Sequence, residues 1–268
     1  MLRKYSNTRS LGDNIKLGML TAIVAGMVNV ASFMLFYSFS SNVTGYFAIL
    51  ASEVSQNNYY QIAIVLLWIM SFFLGSFISN FIVIHFNRRN TYLAHAMPII
   101  LELVCILGVA IYGTRFYNGT LFETELMLMI LLLSMGLQNG LTASISNFAV
   151  KTTHLTGATT DLAILCSMFT HKKYRNNKEM KDKAKLLISI FSSYLLGAFI
   201  AAFLYQSLKF NVFFIVVAFL TVVIFYDLSK IYKFNRSVKV YKLKKQEAEA
   251  EQQHLDNIKS NSKQVAIS

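Results

Sequence analysis

The sequence predicts an all-α, polytopic membrane protein: six transmembrane helices forming two inverted three-helix repeats, with short broken or re-entrant helices after spans one and four. Three observations lead there. Apolar runs approach bilayer length six times, the basic residues are distributed one-sidedly, and a set of polar motifs occurs twice in the same order. Of the 268 residues, 55% are hydrophobic and 14% charged, whereas an ordinary soluble domain carries about a quarter charged residues. A helix needs about 20 apolar residues to cross a hydrocarbon layer of about 30 Å. The runs 17–39, 61–84, 96–113, 126–148, 186–206 and 210–226 come close to or meet that length. Backbone amides find no water in lipid, so each run must pair its amides internally as a helix. Pro98 is expected in the first turn of the third span, where its missing N–H costs least.

The net charge of +12 reads as a topology signal. With the N-terminus inside, the inner segments carry Arg3, Lys4, Arg9 and Lys16, then Arg88 and Arg89. Lys151 and the cluster from Lys172 to Lys185 follow, and then every basic residue after Tyr226. The outer connections carry only Arg115 and Lys209. That alternation follows the positive-inside rule and places both termini in the cytoplasm. It excludes nucleic acid as a partner, because the charge tracks the loops and forms no groove or stripe. The juxtamembrane clusters are suited to anionic headgroups. The apolar run after residues 1–16 is too long for a signal-peptide core and has no small-residue cleavage site, so it reads as a retained first span. Cys105 and Cys166 have neither an oxidising setting nor a mate, and no metal site or cofactor is expected.

The chain divides into a basic cytoplasmic N-terminus (1–16), a first three-helix repeat (17–113), an external loop (114–125), a second repeat (126–227) and a charged cytoplasmic tail (228–268). The tail's mixed-charge run at 244–251 predicts a solvated helix or an extension without fixed structure.

The repeat rests on polar residues, which apolar bias does not generate. Gly26-Met27-Val28-Asn29 lies inside the first span and is followed by Ser41-Asn42-Val43-Thr44-Gly45. Gly136-Leu137-Gln138-Asn139 lies inside the fourth and is followed by Thr153-His154-Leu155-Thr156-Gly157. The next span matches too, Ser71–Ile78 beside Ser193–Ile200, with Gly75 and Gly197 in register. An odd number of spans per half turns the second copy upside down. One site between two such halves can open alternately to either side.

Asn29, Gln138 and Asn139 are amides in hydrocarbon and need partners. They serve either as glue between helices or as part of a substrate path. After Phe39 and Phe148 the apolar runs stop. Each break leads into a segment too short to span, 46–51 and 158–169, expected to be a half-helix capped by Thr44 or Thr156. Free amides at a helix start attract anions and carboxylates; an ordinary capped surface loop is the alternative. Asp161 is read as a helix-start acid or a cation site, and His154 as a group that titrates near neutrality. Glu102, inside the third span, is an ion-coupling candidate.

These motifs, with Gly140 after Asn139 and the run from Lys151 through Asp161-Leu162, resemble the YoaK-like family of bacterial inner-membrane proteins (domain of unknown function 1275) over about residues 17–227. The resemblance implies a bacterial plasma-membrane protein and names no substrate. In that family a polar residue such as asparagine usually follows the first Thr-Gly; here it is Tyr46.

The expected function is a small transporter or permease for a small-molecule or ion substrate, with an anionic or carboxylate-bearing solute favoured. Its site would be built from Asn29, Asn42, Thr44, Gly45, Gln138, Asn139, Thr153, His154, Thr156, Gly157 and Asp161, with Asp161 or Glu102 coupling an ion. A non-transporting scaffold or regulatory subunit is the alternative. An enzyme is disfavoured because no nucleophile elbow or paired-histidine metal motif occurs. The bilayer is the obligatory partner, and a homo-oligomer fits the same reading.

Overall fold

A computed structural model describes residues 9–87 and 90–225. The expectations for Arg3, Lys4, Arg88, Arg89 and the charged tail lie outside the described residues.

Among the described residues the secondary structure is helical throughout. The first helix, α1 (Leu11–Phe36), starts earlier than its apolar run. Ser10 accepts from the Asp13 amide while the Asp13 carboxylate accepts from the Ser10 amide at 3.0 Å. This reciprocal capping box extends the helix into polar sequence. Tyr37 ends it in the left-handed region, at φ 52°. The short helix α2 (Val43–Ser55) follows, then α3 (Tyr59–Phe86) and α4 (Thr91–Arg115). Asn90 caps α4, so Pro98 sits about two turns inside it and not in the first turn. There its ring deprives the Ala94 carbonyl of its helical partner. A second capping box, Thr120 with Glu123, opens α5 (Leu121–Ile145). Next come α6 (Leu155–Thr170), the single turn α7 (Lys172–Arg175) and α8 (Lys178–Leu208). A 3-10 turn at Lys209–Asn211 leads to α9 (212–225).

Five helices are long and apolar enough to cross a membrane when Lys178–Phe225 is taken as one element of 48 residues. That element is broken at Lys209, whose φ of 46° is left-handed. Phe210, at the turn, packs on Phe36 and Tyr117 with ring centroids 5.9 and 5.0 Å apart. Phe210 also lies against Gly113, at the end of α4, while the Tyr92 hydroxyl, at its start, donates to the Ile224 carbonyl at 3.2 Å. Helix α9 therefore folds back and runs antiparallel to α4.

The most extensive pairings are α1 with α8 and α3 with α5. Both are parallel. Gly18 meets Ile190 near the start of α1, and Met34 accepts from Tyr205 at 2.9 Å near its end. On the other pair, Trp68 Nε1 donates to the Glu125 carbonyl at 3.2 Å and Ser144 to Asn80 at 2.7 Å. Helices α1 and α5 run antiparallel, since Gly18 lies against Val150 whereas Phe36 stacks edge-on with Tyr117. Outward-facing phenylalanines recur at matching places, Phe77 and Phe81 on α3 and Phe199 and Phe203 on α8. They are the surface expected of helices facing lipid.

Glycines set the closeness of both pairs. A Cβ added at Gly26 would collide with the Tyr194 carbonyl, and one at Gly197 with the Ile23 carbonyl. At Gly136 it would strike the Phe72 carbonyl, and at Gly75 the Leu133 carbonyl. Each obstacle stands three residues before the partner glycine, in both pairs alike. Gly108, by contrast, faces open space. Gly136→Ala is therefore expected to destabilise the protein by about 1–3 kcal/mol through overpacking, and Gly108→Ala to leave it unchanged. Unfolding in detergent, followed by circular dichroism, measures both.

Candidate functional site

The backbone breaks after α1 and α5 are held by the asparagines one turn past Gly26 and Gly136. Asn29 is 2% exposed. Its Oδ1 accepts from Ser40 at 3.0 Å, and its Nδ2 donates to Ser41 at 2.7 Å. In the second half Thr152, which corresponds to Ser40, donates to Asn139 Oδ1 at 3.4 Å. Asn139 Nδ2 turns back to the Met135 carbonyl of its own helix at 2.9 Å. Gln138 ties helices together, donating to the Thr21 carbonyl at 2.9 Å and to Thr152 at 3.0 Å.

Helices α2 and α6 begin at equivalent residues, but Thr44 and Thr156 do not cap them. The caps are Asn42 and His154. Asn42 Oδ1 accepts from the Gly45 amide at 3.1 Å, a reach of three residues that suits an asparagine. The His154 side chain makes no capping bond. In both, the cap side chain folds over the glycine, where a Cβ would strike Asn42 Nδ2 or His154 Nε2. The glycines thus make room for the caps. The short helices also run further than their apolar cores, to Ser55 and Thr170. Buried, intermediate and exposed positions follow the same order over 41–48 and 153–160.

Both helix starts open on one cavity of about 980 Å³. From the first half come Asn42, Val43 and Thr44, and from the second Thr153 through Gly157. Asn29 of α1, Ser76 and Asn80 of α3, Asn139 and Ser144 of α5, and Tyr194 of α8 complete the polar wall. Lys151 and His154 are the lining groups able to carry charge as cations, and no carboxylate lines it. Amides, hydroxyls, a lysine and two helix starts suit a small solute with a negative group.

Eight expected residues thus share one wall: Asn29, Asn42, Thr44, Asn139, Thr153, His154, Thr156 and Gly157. Gly45 and Gln138 stand behind it. Asp161 lies outside this wall, bordering a second cavity of about 490 Å³ and paired with Lys183 at 2.9 Å. Glu102 lies at the middle of α4, fully buried, its carboxylate oxygens without hydrogen-bond partners, and lines neither cavity. Sequence reasoning did not place Lys151 in the site, although it opens the second motif run, and it missed Tyr194, Ser76, Asn80 and Ser144. Lys151 could have been found by its place two residues before the second motif. The others lie on helices that approach only in three dimensions. The two cysteines are free, and among the described residues no cluster of metal-ligating side chains occurs.

Fold and cavity define the class: an all-α protein, with the helices of a multi-pass membrane protein, whose two broken helix starts meet at a cavity lined by both polar and apolar side chains. Residues 17–226 match the family described as "Protein of unknown function (DUF1275)", and the chain belongs to it. No curated protein and no solved structure matches.

Asn29→Ala strands the fully buried Ser40 hydroxyl, so it is expected to cost about 1–3 kcal/mol. Asn139→Ala, with a longer bond to Thr152 and a partly buried side chain, should cost less. Thermal unfolding in detergent compares the two.

Proposed function

We propose that the protein is a small transporter of the bacterial plasma membrane, with six spans in two inverted three-helix repeats and one solute site between them. The observation that carries the reading is the convergence of both Thr-Gly helix starts on a single cavity. Matching glycine contacts, antiparallel α1 and α5, and the fold-back of α9 along α4 support the six-span inverted repeat. A residue stretch of 48 would rise about 72 Å as one helix, far more than a bilayer of about 30 Å requires. The irregular backbone at 37–42 and 146–154 fits the rule that such segments occur at membrane depth only beside protein or a watery cavity. Both termini are assigned to the cytoplasm on the charge distribution, with anionic headgroups beside the basic inner segments.

The solute we assign is a small anion or carboxylate, held by the amides opening α2 and α6, by the Asn29 and Asn139 amides and by Lys151. Asp161 and Glu102, being outside the cavity, would couple an ion only indirectly. A scaffold or regulatory subunit would need no hollow beside its repeated polar motifs, and the cavity counts against that reading. We propose no catalytic step.

A thermal-shift panel of small carboxylates, phosphate, sulfate, amino acids and amines on the purified protein tests the assignment. A ligand at 100 times its Kd stabilises by about 2.7 kcal/mol, so a shift with anions and none with amines is expected. Lys151→Gln and the pair Thr156→Leu/Gly157→Leu should each abolish it. A panel that shifts only with amines would refute the anion assignment.

The topology is tested by cysteines in a cysteine-free background. One at 52–58 should label from outside intact cells, and one at 176–177 only after permeabilisation.

A further inference from the structure

The two halves share a backbone pattern but differ in what fills the space behind each helix start. With Gly45 set on Gly157, Tyr46 falls on Ala158; with Gly75 set on Gly197, Trp68 falls on Ile190 and Tyr60 and Gln61 fall on Asp182 and Lys183. In the first half this space is full. The Tyr46 and Trp68 rings pack with centroids 5.3 Å apart and are 3% and 9% exposed. Leu128 and Leu132 of α5 close the cluster. Glu125, at the start of α5, fastens it. Gln61 Nε2 donates to one carboxylate oxygen at 3.1 Å, the Tyr60 hydroxyl donates to the other, and Trp68 donates to the Glu125 carbonyl at 3.2 Å. Tyr46 also donates to the Phe39 carbonyl, which anchors it to the chain break itself.

In the second half the same place is only partly filled: Ala158 packs with Leu165, Ala184 and Leu187, and a cavity remains beside them. Ala158 and Ile190 line the cavity of about 490 Å³ where the first half holds two aromatic rings. Its outer part carries Asp161, Glu179, Asp182 and Lys183, and the Asp161–Lys183 pair is about half exposed. Its inner wall, formed by Phe148, Lys151, His154 and Gly157, is shared with the central cavity.

We infer that the second cavity is the access route between the central cavity and the face bearing α6, and that the Tyr46–Trp68–Glu125 cluster is the closed gate of the opposite face. The inference rests on the transporter reading and adds to it the state that this structure represents, open towards α6 and shut at α2. Lys151 and His154 stand where the route meets the site, so a solute entering past the charged rim meets the Lys151 ammonium next.

The test uses the full chain with Cys105→Ser and Cys166→Ser, and Ala143→Cys as reporter in the central wall. The protein is placed in sealed vesicles of either orientation and treated with a small, charged, membrane-impermeant methanethiosulfonate. Modification at least tenfold faster from the α6 face than from the α2 face is expected. Ala158→Phe, which restores aromatic bulk, should slow the α6-side reaction at least tenfold. Tyr46→Ala should raise the α2-side rate by a similar factor. If Tyr46→Ala fails to fold, Glu125→Gln keeps the ring packing while weakening the fastening, and decides the same point. Equal rates from both faces, or α6-side modification indifferent to Ala158→Phe, overturn the inference and leave a hydrated central cavity standing. No modification from either face removes the hydrated cavity, and the transporter reading with it.

Discussion

Backbone contact at glycine governs how everything else in this protein is placed. Helices in lipid gain little from hiding apolar side chains from one another, because the surroundings are equally apolar; close approach and polar contacts decide which surfaces meet. Here the closest approaches lie at Gly26 with Gly197 and at Gly75 with Gly136. Each joins a helix of the first half to a helix of the second, so the halves interlock and do not form separate bundles. Asn29 and Asn139 follow their glycines by three residues, less than one turn. The contact that locks the helices therefore also aims the two amides at the space between the pairs.

Those amides organise the breaks that follow. Ser40 and Ser41 fold back onto Asn29, and Thr152 onto Asn139. Chain that leaves a helix at membrane depth must find hydrogen-bond partners or line water. Both breaks do so, then restart as α2 and α6 with caps lying over a glycine. A helix start brings several unpaired amides with it. Two starts at one cavity provide a concentration of donors that a single break would not supply, and the lining adds Lys151 without a carboxylate to neutralise it. The hydroxyl and amide network thus holds the break and lines the cavity at once, so glue and pathway are compatible readings of Asn29.

What the sequence disclosed depended on the length scale of the signal. Long apolar runs and repeated polar motifs survive any local ambiguity, so the helices and the broken segments were legible, as were eight residues of the cavity wall. Helix ends were less so. The capping boxes at Ser10 and Thr120 carry helix past the apolar boundary, and Asn90 moves Pro98 two turns inward. Choosing Thr44 and Thr156 as caps followed the usual preference for hydroxyls; the glycine three residues after Asn42 and His154 was the better clue, since it clears room for a larger cap. Asp161 borders the second cavity rather than the central one, a distinction that depends on its pairing with Lys183 of α8 and is not visible along the chain. The aromatic cluster was illegible for a different reason. Tyr46, Trp68 and Glu125 each read as packing or interface residues, and their joint role depends on α3 meeting α5 in parallel.

The contrast between conserved scaffold and divergent filling bears on how two such halves work. A repeat with identical side chains in both copies would weigh both openings equally and leave neither preferred. In this chain the glycines, the in-span asparagines and the hydroxyls are kept in both copies, whereas bulk is placed on one side and charge on the other. On the proposed function, the symmetric elements supply two related packings, and the asymmetric ones bias which is occupied. A bound solute changes that bias only to the extent that it binds one packing more tightly. Because the cavity takes its donors from both helix starts, a shift of α2 away from Trp68, or of α6 towards α8, alters solute contacts directly. On the proposed function, solute and gate are therefore coupled through the same few backbone amides, with no need for a longer chain of side chains between them.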